Sequence, residues 1–279
     1  IALLGAEPAF VDVDEDTYNI SCESLITKIN QYPKSELSNS AIIAVDLFGL
    51  PADYNTICDI AMNSGLYLIS DAAQSFGGSI GSQKVGKLSP ITTTSFYPTK
   101  PLSCYGDGGA VFTDDDEIAM KIKSIRSHGI TDNPYENVRI GTNARFDAIQ
   151  AAVILCKLKI FDEELSRRES TSRIYNQELK NIVETPITTN QVKSAWAHYT
   201  IRTRDRDGLR EFLTKNSIPT MIYYPKGMHE QTAYQKYHNG DPLIVSEKLC
   251  GEVLSLPLHP YMSENQVYYV SGKVKEFIG

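Results

Sequence analysis

Along the 279-residue chain, short apolar runs alternate with stretches in which apolar residues recur every three or four positions. Residues 42–45, 66–69 and 91–97 are runs of the first kind, the pattern of strands buried in a parallel sheet. Between the first two, Ile57, Ile60 and Ala61 keep helical spacing within 54–64, and Gly65 supplies a stop. Strand, helix and strand at these distances predict right-handed βαβ units. Residues 8–13 read as a further strand, and Asn19 or Ser21 caps a helix running to Ile29. Residues 1–6 read as the end of a helix stopped by Gly5.

Further along, residues 77–86 form a Gly- and Ser-rich hairpin and 109–113 a strand. Asp114 or Asp115 caps a helix with Ile118, Ile122 and Ile125 on one face. A loop over 131–140 precedes a long helix carrying Ile149, Val153, Cys156, Ile160 and Leu165. Its strongly charged continuation, 163–180, reads as a bridge between two packed bodies. Past residue 185 the pattern changes. Residues 196–203 alternate, with Ala197, Tyr199 and Ile201 on one face and His198, Thr200 and Arg202 on the other, which predicts a half-exposed antiparallel strand. A helix over 205–216, a strand over 220–224, and helices over 246–254 and 263–277 complete the chain. The expected fold is α/β: a large body over 1–165, its mainly parallel sheet sandwiched by helices, then a smaller α+β domain over 166–279.

Composition adds exclusions. A hydrophobic fraction of 42% and a charged fraction of 22% are those of an ordinary globular protein. The net charge of −7, without a basic stripe, argues against nucleic acid as a partner. No apolar run approaches the roughly twenty residues of a membrane span, and no signal peptide is visible. The five cysteines are scattered without a CxxC pair, so neither a metal site nor a disulfide framework is expected. They read as reduced thiols in a cytoplasmic protein.

The chemistry concentrates at two strand ends. Pro98 cannot donate to a sheet, so the 91–97 strand stops there and Lys100 is held on a tight corner. Gly106, Gly108 and Gly109 let backbone pass close to whatever Lys100 addresses. A desolvated lysine of this kind is a nucleophile; a solvated loop lysine is the alternative. Asp71 and Gln74 follow the apolar run 66–69, at the carboxyl end where α/β proteins place ligands. A lysine and an acid on neighbouring strand ends suit pyridoxal 5′-phosphate, which needs a Schiff-base lysine and an acid on its pyridinium nitrogen.

Three segments in order, 71–77 (DAAQSFG), 95–100 (SFYPTK) and 104–110 (CYGDGGA), closely resemble the DegT/DnrJ/StrS sugar aminotransferases, fold type I pyridoxal phosphate enzymes. The resemblance runs from residue 1 to 279. It implies Lys100 as the Schiff-base lysine and proton shuttle, Asp71 on the pyridinium nitrogen, Gln74 facing the phenolic oxygen and Ser95 on the phosphate. A helix N-cap and a structural amide are the alternatives for Asp71 and Gln74. Asn143, within 141–152 (GTNARFDAIQAA), matches a position that reaches the phosphate in the neighbouring subunit, which implies a homodimer with shared active sites; loop capping is its alternative. Arg145, two residues on, suits a substrate diphosphate or carboxylate, or else a surface ion pair. Tyr223, Tyr224, Pro225 and His229 resemble the segment lining the sugar-nucleotide pocket, although many relatives carry His at the Tyr223 position. His198 and His238 read as structural or solvent-exposed.

The implied reaction moves an amino group from an amino acid, in expectation glutamate, to a nucleotide-linked keto sugar for surface polysaccharide or glycan synthesis. A sugar dehydratase using the aminated cofactor is the enzymatic alternative, but those relatives replace the lysine with histidine. A non-catalytic regulatory or binding member is the other. The segment 103–109 leans towards relatives that make 3-amino uronic-acid or 4-amino sugars. The resemblance also implies an amino-terminal part before Ile1 with a helix start that grips the phosphate.

Overall fold

A computed structural model describes residues 1–187 and 191–279. Ser21 caps α1 (Cys22–Ile29) by accepting from the Ser24 N–H, while Asn19 is spent elsewhere, accepting from the Leu47 N–H and donating to the Leu50 carbonyl. Then follow β1 (Ala41–Val45), α2 (Tyr54–Ser64) closed by Gly65 in the left-handed region, and β2 (Tyr67–Asp71). A short hairpin, β3 (Ser79–Ile80) and β4 (Gln83–Lys84), leads to β5 (Ile91–Ser95) and β6 (Gly109–Phe112). The main sheet has the order β1-β2-β5-β6, parallel except for the antiparallel last pair. In register, Val45, Asp71 and Thr93 stand side by side, so the carboxyl ends of three strands form one edge.

After α3 (Asp116–Ile125), capped by Asp115, the predicted long helix is two: α4 (Ala148–Lys157) and α5 (Phe161–Leu179). Lys159 and Ile160 donate to the carbonyls three residues back, which tightens and ends α4, and Phe161 then turns in to stack on Phe76. After α5 come β7 (Val192–Lys193), β8 (Tyr199–Arg202), α6 (Arg206–Lys215), α7 (Ile244–Glu252), β9 (Val253–Leu256) and α8 (Glu264–Ile278). β8 and β9 pair antiparallel, and β7 extends the β3–β4 hairpin.

Four expectations need correction. Residues 8–13 form no strand beyond a single bridge from Val13 to Ile20, because Asp12 leaves that line to hold the start of α7. Residues 220–224 make only the bridge Met221 to Ser255. The apolar end of the 246–254 run is not helix but β9. β8 is not half-exposed: Thr200 is fully buried against Ser255, and Arg202 reaches Glu15 across the two bodies. Its polar face is consumed by partners rather than by water.

Two cores flank α5. Phe161 and Leu165 at its start pack with Phe96, Leu102, Cys104 and Ile154, whereas Tyr175 and Leu179 near its end pack with Trp196, Tyr199, Ile201 and Val274. A third core, under the main sheet, joins Ile42, Ala44, Ile57 and Leu68.

Candidate active site

The carboxyl edge of the sheet carries the first group. Asp71 ends β2, and its Oδ1 accepts from the Ala73 N–H at 3.1 Å, which turns the chain sharply. Gln74, buried in that turn, accepts from the Phe48 N–H at 2.6 Å through Oε1. That bond fixes the amide orientation and leaves the Gln74 NH2 facing the other side. The 71–77 turn is thus tied to the 46–50 turn that follows β1, and the Asp46 N–H donates to the Asp71 carbonyl at 3.0 Å.

Lys100 stands on the next strand end. β5 stops at Ser95, whose Oγ accepts from the Tyr97 N–H, and the Lys100 N–H closes a turn onto the Tyr97 carbonyl. Cys104 pins that turn from beneath: its thiol donates towards the Phe96 carbonyl at 3.0 Å and lies 3.1 Å from the Gly106 carbonyl. Gly108 is required for close approach, since a Cβ there would lie 2.3 Å from the Phe146 ring. The Lys100 side chain is half-buried. Burial pushes its pKa down, and the Asp71 carboxylate pulls it part of the way back. The two side chains therefore feel each other across the strand ends, and the amine is more often free than in an exposed lysine.

Sequence reasoning missed His198. Its ring packs against Tyr223 at 4.3 Å between centroids and meets Phe48 edge-on. Burial, then the positive charges of Lys100 and Arg168, push its pKa down to about 4. It is a neutral imidazole within the electrostatic reach of Lys100. Its place on the polar face of β8's run was the available signal, but on a half-exposed strand that face points to solvent.

The remaining predicted residues lie in other settings. Tyr224, 53% exposed, leans over Gln74. His229 is 5% exposed; its ring packs with Phe10 and His238, and Nε2 lies 3.3 Å from Glu247 Oε1. Asn143 and Arg145 are exposed on the segment before α4, which the Ser127–Asn143 bridge holds in place. Within one chain, then, Asp71, Gln74, Lys100, Tyr224 and His198 are drawn together, Ser95 closes the strand beside them, and Asn143, Arg145 and His229 stand apart.

An amine kept more often neutral by desolvation, a carboxylate on the adjacent strand end, a hydroxyl and a fixed amide are the groups that pyridoxal 5′-phosphate requires. The glycines at 106, 108 and 109 make room for Gln150, the Phe146 ring and the Thr94 carbonyl rather than for Lys100.

Known proteins are similar to this chain in sequence and fold. The model of the DegT/DnrJ/EryC1/StrS aminotransferase family matches residues 1–275. A UDP-2-acetamido-2-deoxy-3-oxo-D-glucuronate aminotransferase of Pseudomonas aeruginosa is 41% identical over 263 residues, 94% of this chain and 71% of that protein. The crystal structure of a DegT DnrJ EryC1 StrS aminotransferase from Brucella abortus superposes with a TM-score of 0.96 at 48% identity, over 100% of this chain and 75% of that one. S. venezuelae DesV, solved in complex with a ketimine intermediate, gives a TM-score of 0.90 at 32% identity, over 97% and 72%.

Proposed function

This chain belongs to the DegT/DnrJ/EryC1/StrS aminotransferase family, and from that membership we propose that it transfers an amino group from an amino acid to a nucleotide-linked keto sugar. The observation that carries the reading is the half-buried, depressed-pKa Lys100 within the field of Asp71 on the carboxyl edge of the sheet. The relative from Pseudomonas aeruginosa makes a UDP-linked 3-oxo-uronate the leading acceptor class.

Bound at this edge, pyridoxal phosphate supplies an electron sink that makes a C–H bond beside an amine acidic. Asp71 supplies the negative charge that keeps the ring nitrogen protonated. Lys100 Nζ would hold the cofactor and, as a free amine, would carry the proton released from the amino donor. Gln74, its oxygen held by the Phe48 N–H, would offer NH2 donors to the ring oxygen. Ser95 offers a hydroxyl to the phosphate. Tyr224 and Arg145 are assigned to the sugar nucleotide, Asn143 to the partner subunit's phosphate site, and His229 to shaping the Tyr224 segment, since its ring packs on Gly227.

Domain division near residue 165, a homodimer with shared sites and a cytoplasmic location belong to the same reading. The division is supported by the two cores that flank α5. Among the described residues no helix is long and apolar enough to cross a membrane.

The test has two arms. Borohydride reduction of the cofactor-loaded chain should fix the cofactor on the peptide bearing Lys100, read by mass spectrometry. Glutamate with a panel of nucleotide keto sugars should yield an amino sugar. An unmodified Lys100 peptide after reduction, with the cofactor bound, would reject the reading.

A further inference from the structure

Behind the two turns that carry Gln74 and Phe48 lies a carboxylate with no part in the reaction described above. Asp46 is fully buried at the end of β1. Its Oδ1 accepts from the Ala52 N–H at 2.9 Å and from the Tyr54 hydroxyl at 2.8 Å, and its Oδ2 accepts from the Ser75 hydroxyl at 2.5 Å. The Tyr54 oxygen in turn lies 2.6 Å from Ser70 Oγ. Ser70 directly precedes Asp71, and Ser75 directly follows Gln74. One buried chain, Ser70–Tyr54–Asp46–Ser75, therefore grips the Asp71–Gln74 segment at both ends. Only this set of donors satisfies every hydroxyl when the carboxylate is ionised: Ser70 to Tyr54, Tyr54 and Ala52 to Oδ1, Ser75 to Oδ2.

We propose, given the cofactor role assigned to Asp71 and Gln74, that Asp46 is a positioning residue that holds both groups at the cofactor from the far side of the sheet edge. A buried carboxylate is retained at a cost, because desolvation disfavours its charge, and an apolar residue would fill the same space more cheaply. What an apolar residue would not do is fix two separate points of one functional turn. The other backbone ties across this edge, Asp46 N–H to Asp71 and Phe48 N–H to Gln74, run through the same short segment, so the carboxylate sits at the centre of the brace.

Its ionisation supplies an independent readout. Burial pushes the Asp46 pKa up to about 6, against the hydrogen bonds from Ser75, Ala52 and Tyr54, and the Asp71 charge adds to the rise. The titratable groups that face it are Tyr54 from α2 and Asp71 from β2; the 72–77 turn contributes the Ser75 hydroxyl. If opening of the turn exposes Asp46 to water, its pKa falls to that of a free carboxyl, about 3.9. The closed turn then binds the proton more tightly, so closure is favoured at low pH and loses stability as pH rises through about 6.

The experiment compares the full chain with Ser75→Ala, Asp46→Ala and Asp46→Asn. It measures cofactor affinity by absorbance titration and amide exchange over residues 71–77, with and without cofactor. Ser75→Ala cuts the brace at the turn and should weaken cofactor binding about tenfold and speed exchange of the turn, the effect of one lost buried hydrogen bond. Asp46→Ala should do at least as much. Asp46→Asn keeps an oxygen for Ala52 and Tyr54 and an amide donor for Ser75, so it should rescue affinity. It should also abolish the fall in turn protection, corrected for intrinsic exchange, that the unmodified chain shows between about pH 5 and 7. Cofactor affinity within about twofold of normal and unchanged turn exchange in Ser75→Ala would overturn the assignment. So would Asp46→Asn with the same pH dependence as the unmodified chain. Turn exchange without cofactor speaks to Asp46 alone. A failure of Lys100 to be fixed by borohydride would instead remove the cofactor reading.

Discussion

A lysine becomes a nucleophile when its surroundings strip water from the charged form faster than a neighbouring carboxylate can restore it. At Lys100 burial wins over Asp71, so the pKa lies below that of an exposed lysine. Lys100→Ala is expected to fold and to lose turnover by orders of magnitude, since no amine remains to move the proton or release product; retention of about a tenth of the rate would overturn the assignment. Asp71→Asn is expected to bind the cofactor yet lose most of its activity, because a neutral amide cannot hold the ring-nitrogen proton. Near-normal rates would place the acid elsewhere. His198, pushed down to about 4, is neutral above that value. A His198→Gln chain should therefore show a pH–rate profile without any lost limb between about pH 5 and 8. A limb that disappears would assign the titration to His198.

Most helices are capped by the residue just before them, but α7 is capped from far along the chain. α7 has no side-chain cap of its own. Asp12 provides it from the opposite body, accepting from the Val245 N–H at 3.0 Å, the Ser246 N–H at 2.8 Å and the Ser246 hydroxyl at 2.7 Å. Burial pushes the Asp12 carboxyl up, but these bonds outweigh it and the net shift is downward. Such a group stabilises above its unfolded pKa and stops doing so as pH falls through the folded value. Asp12→Ala should cost about 1–2 kcal/mol near neutral pH, the worth of an N-cap, and less in acid. Urea titrations at two pH values check it, and an unchanged midpoint at neutral pH would show that the α7 start is held by something else. The break between α4 and α5 belongs to the same scale. Apolar spacing continues unbroken through Ile160, yet the stacking of Phe161 on Phe76 turns the chain.

At the scale of the molecule, the surface around Asn143 is unlike a free one. Tyr135 is 95% exposed and Ile140 97%, and Ile149 and Leu155 add to the same stretch. Apolar side chains left this open would suit the interface of the proposed homodimer. A homodimer buried through it would carry Asn143 and Arg145 towards the partner's cofactor edge. Complementation tests this: Lys100→Ala chains mixed with Asn143→Asp chains, each inactive, should recover up to about a quarter of normal activity after random exchange, as half the dimers then hold one sound site. No recovery, with mixed dimers demonstrated, would place Asn143 in its own subunit's site.

Much of this was legible along the chain, for a physical reason. The βαβ units, the corner at Lys100 and the acid at Asp71 follow from local rules: apolar period, proline's missing donor, glycine stops and strand ends. Those rules act over a few residues and leave their marks in order. Sequence pattern also suggested a division near residue 165, and α5 contributes to one core cluster near its start and another near its end. What it did not contain is which polar residue meets which. Asp12 reads as a strand residue until α7 arrives from 233 positions away. Thr200 reads as solvent-facing until Ser255 of β9 meets it, and His198 as structural or solvent-exposed until Phe48 and Tyr223 close on its ring. Asp46 reads as a loop acid until Tyr54 and Ser75 close over it. Burial of a polar group depends on long-range partners that desolvate and satisfy it together. Local pattern carries no record of those partners, so only the tertiary structure decided where these charges lie.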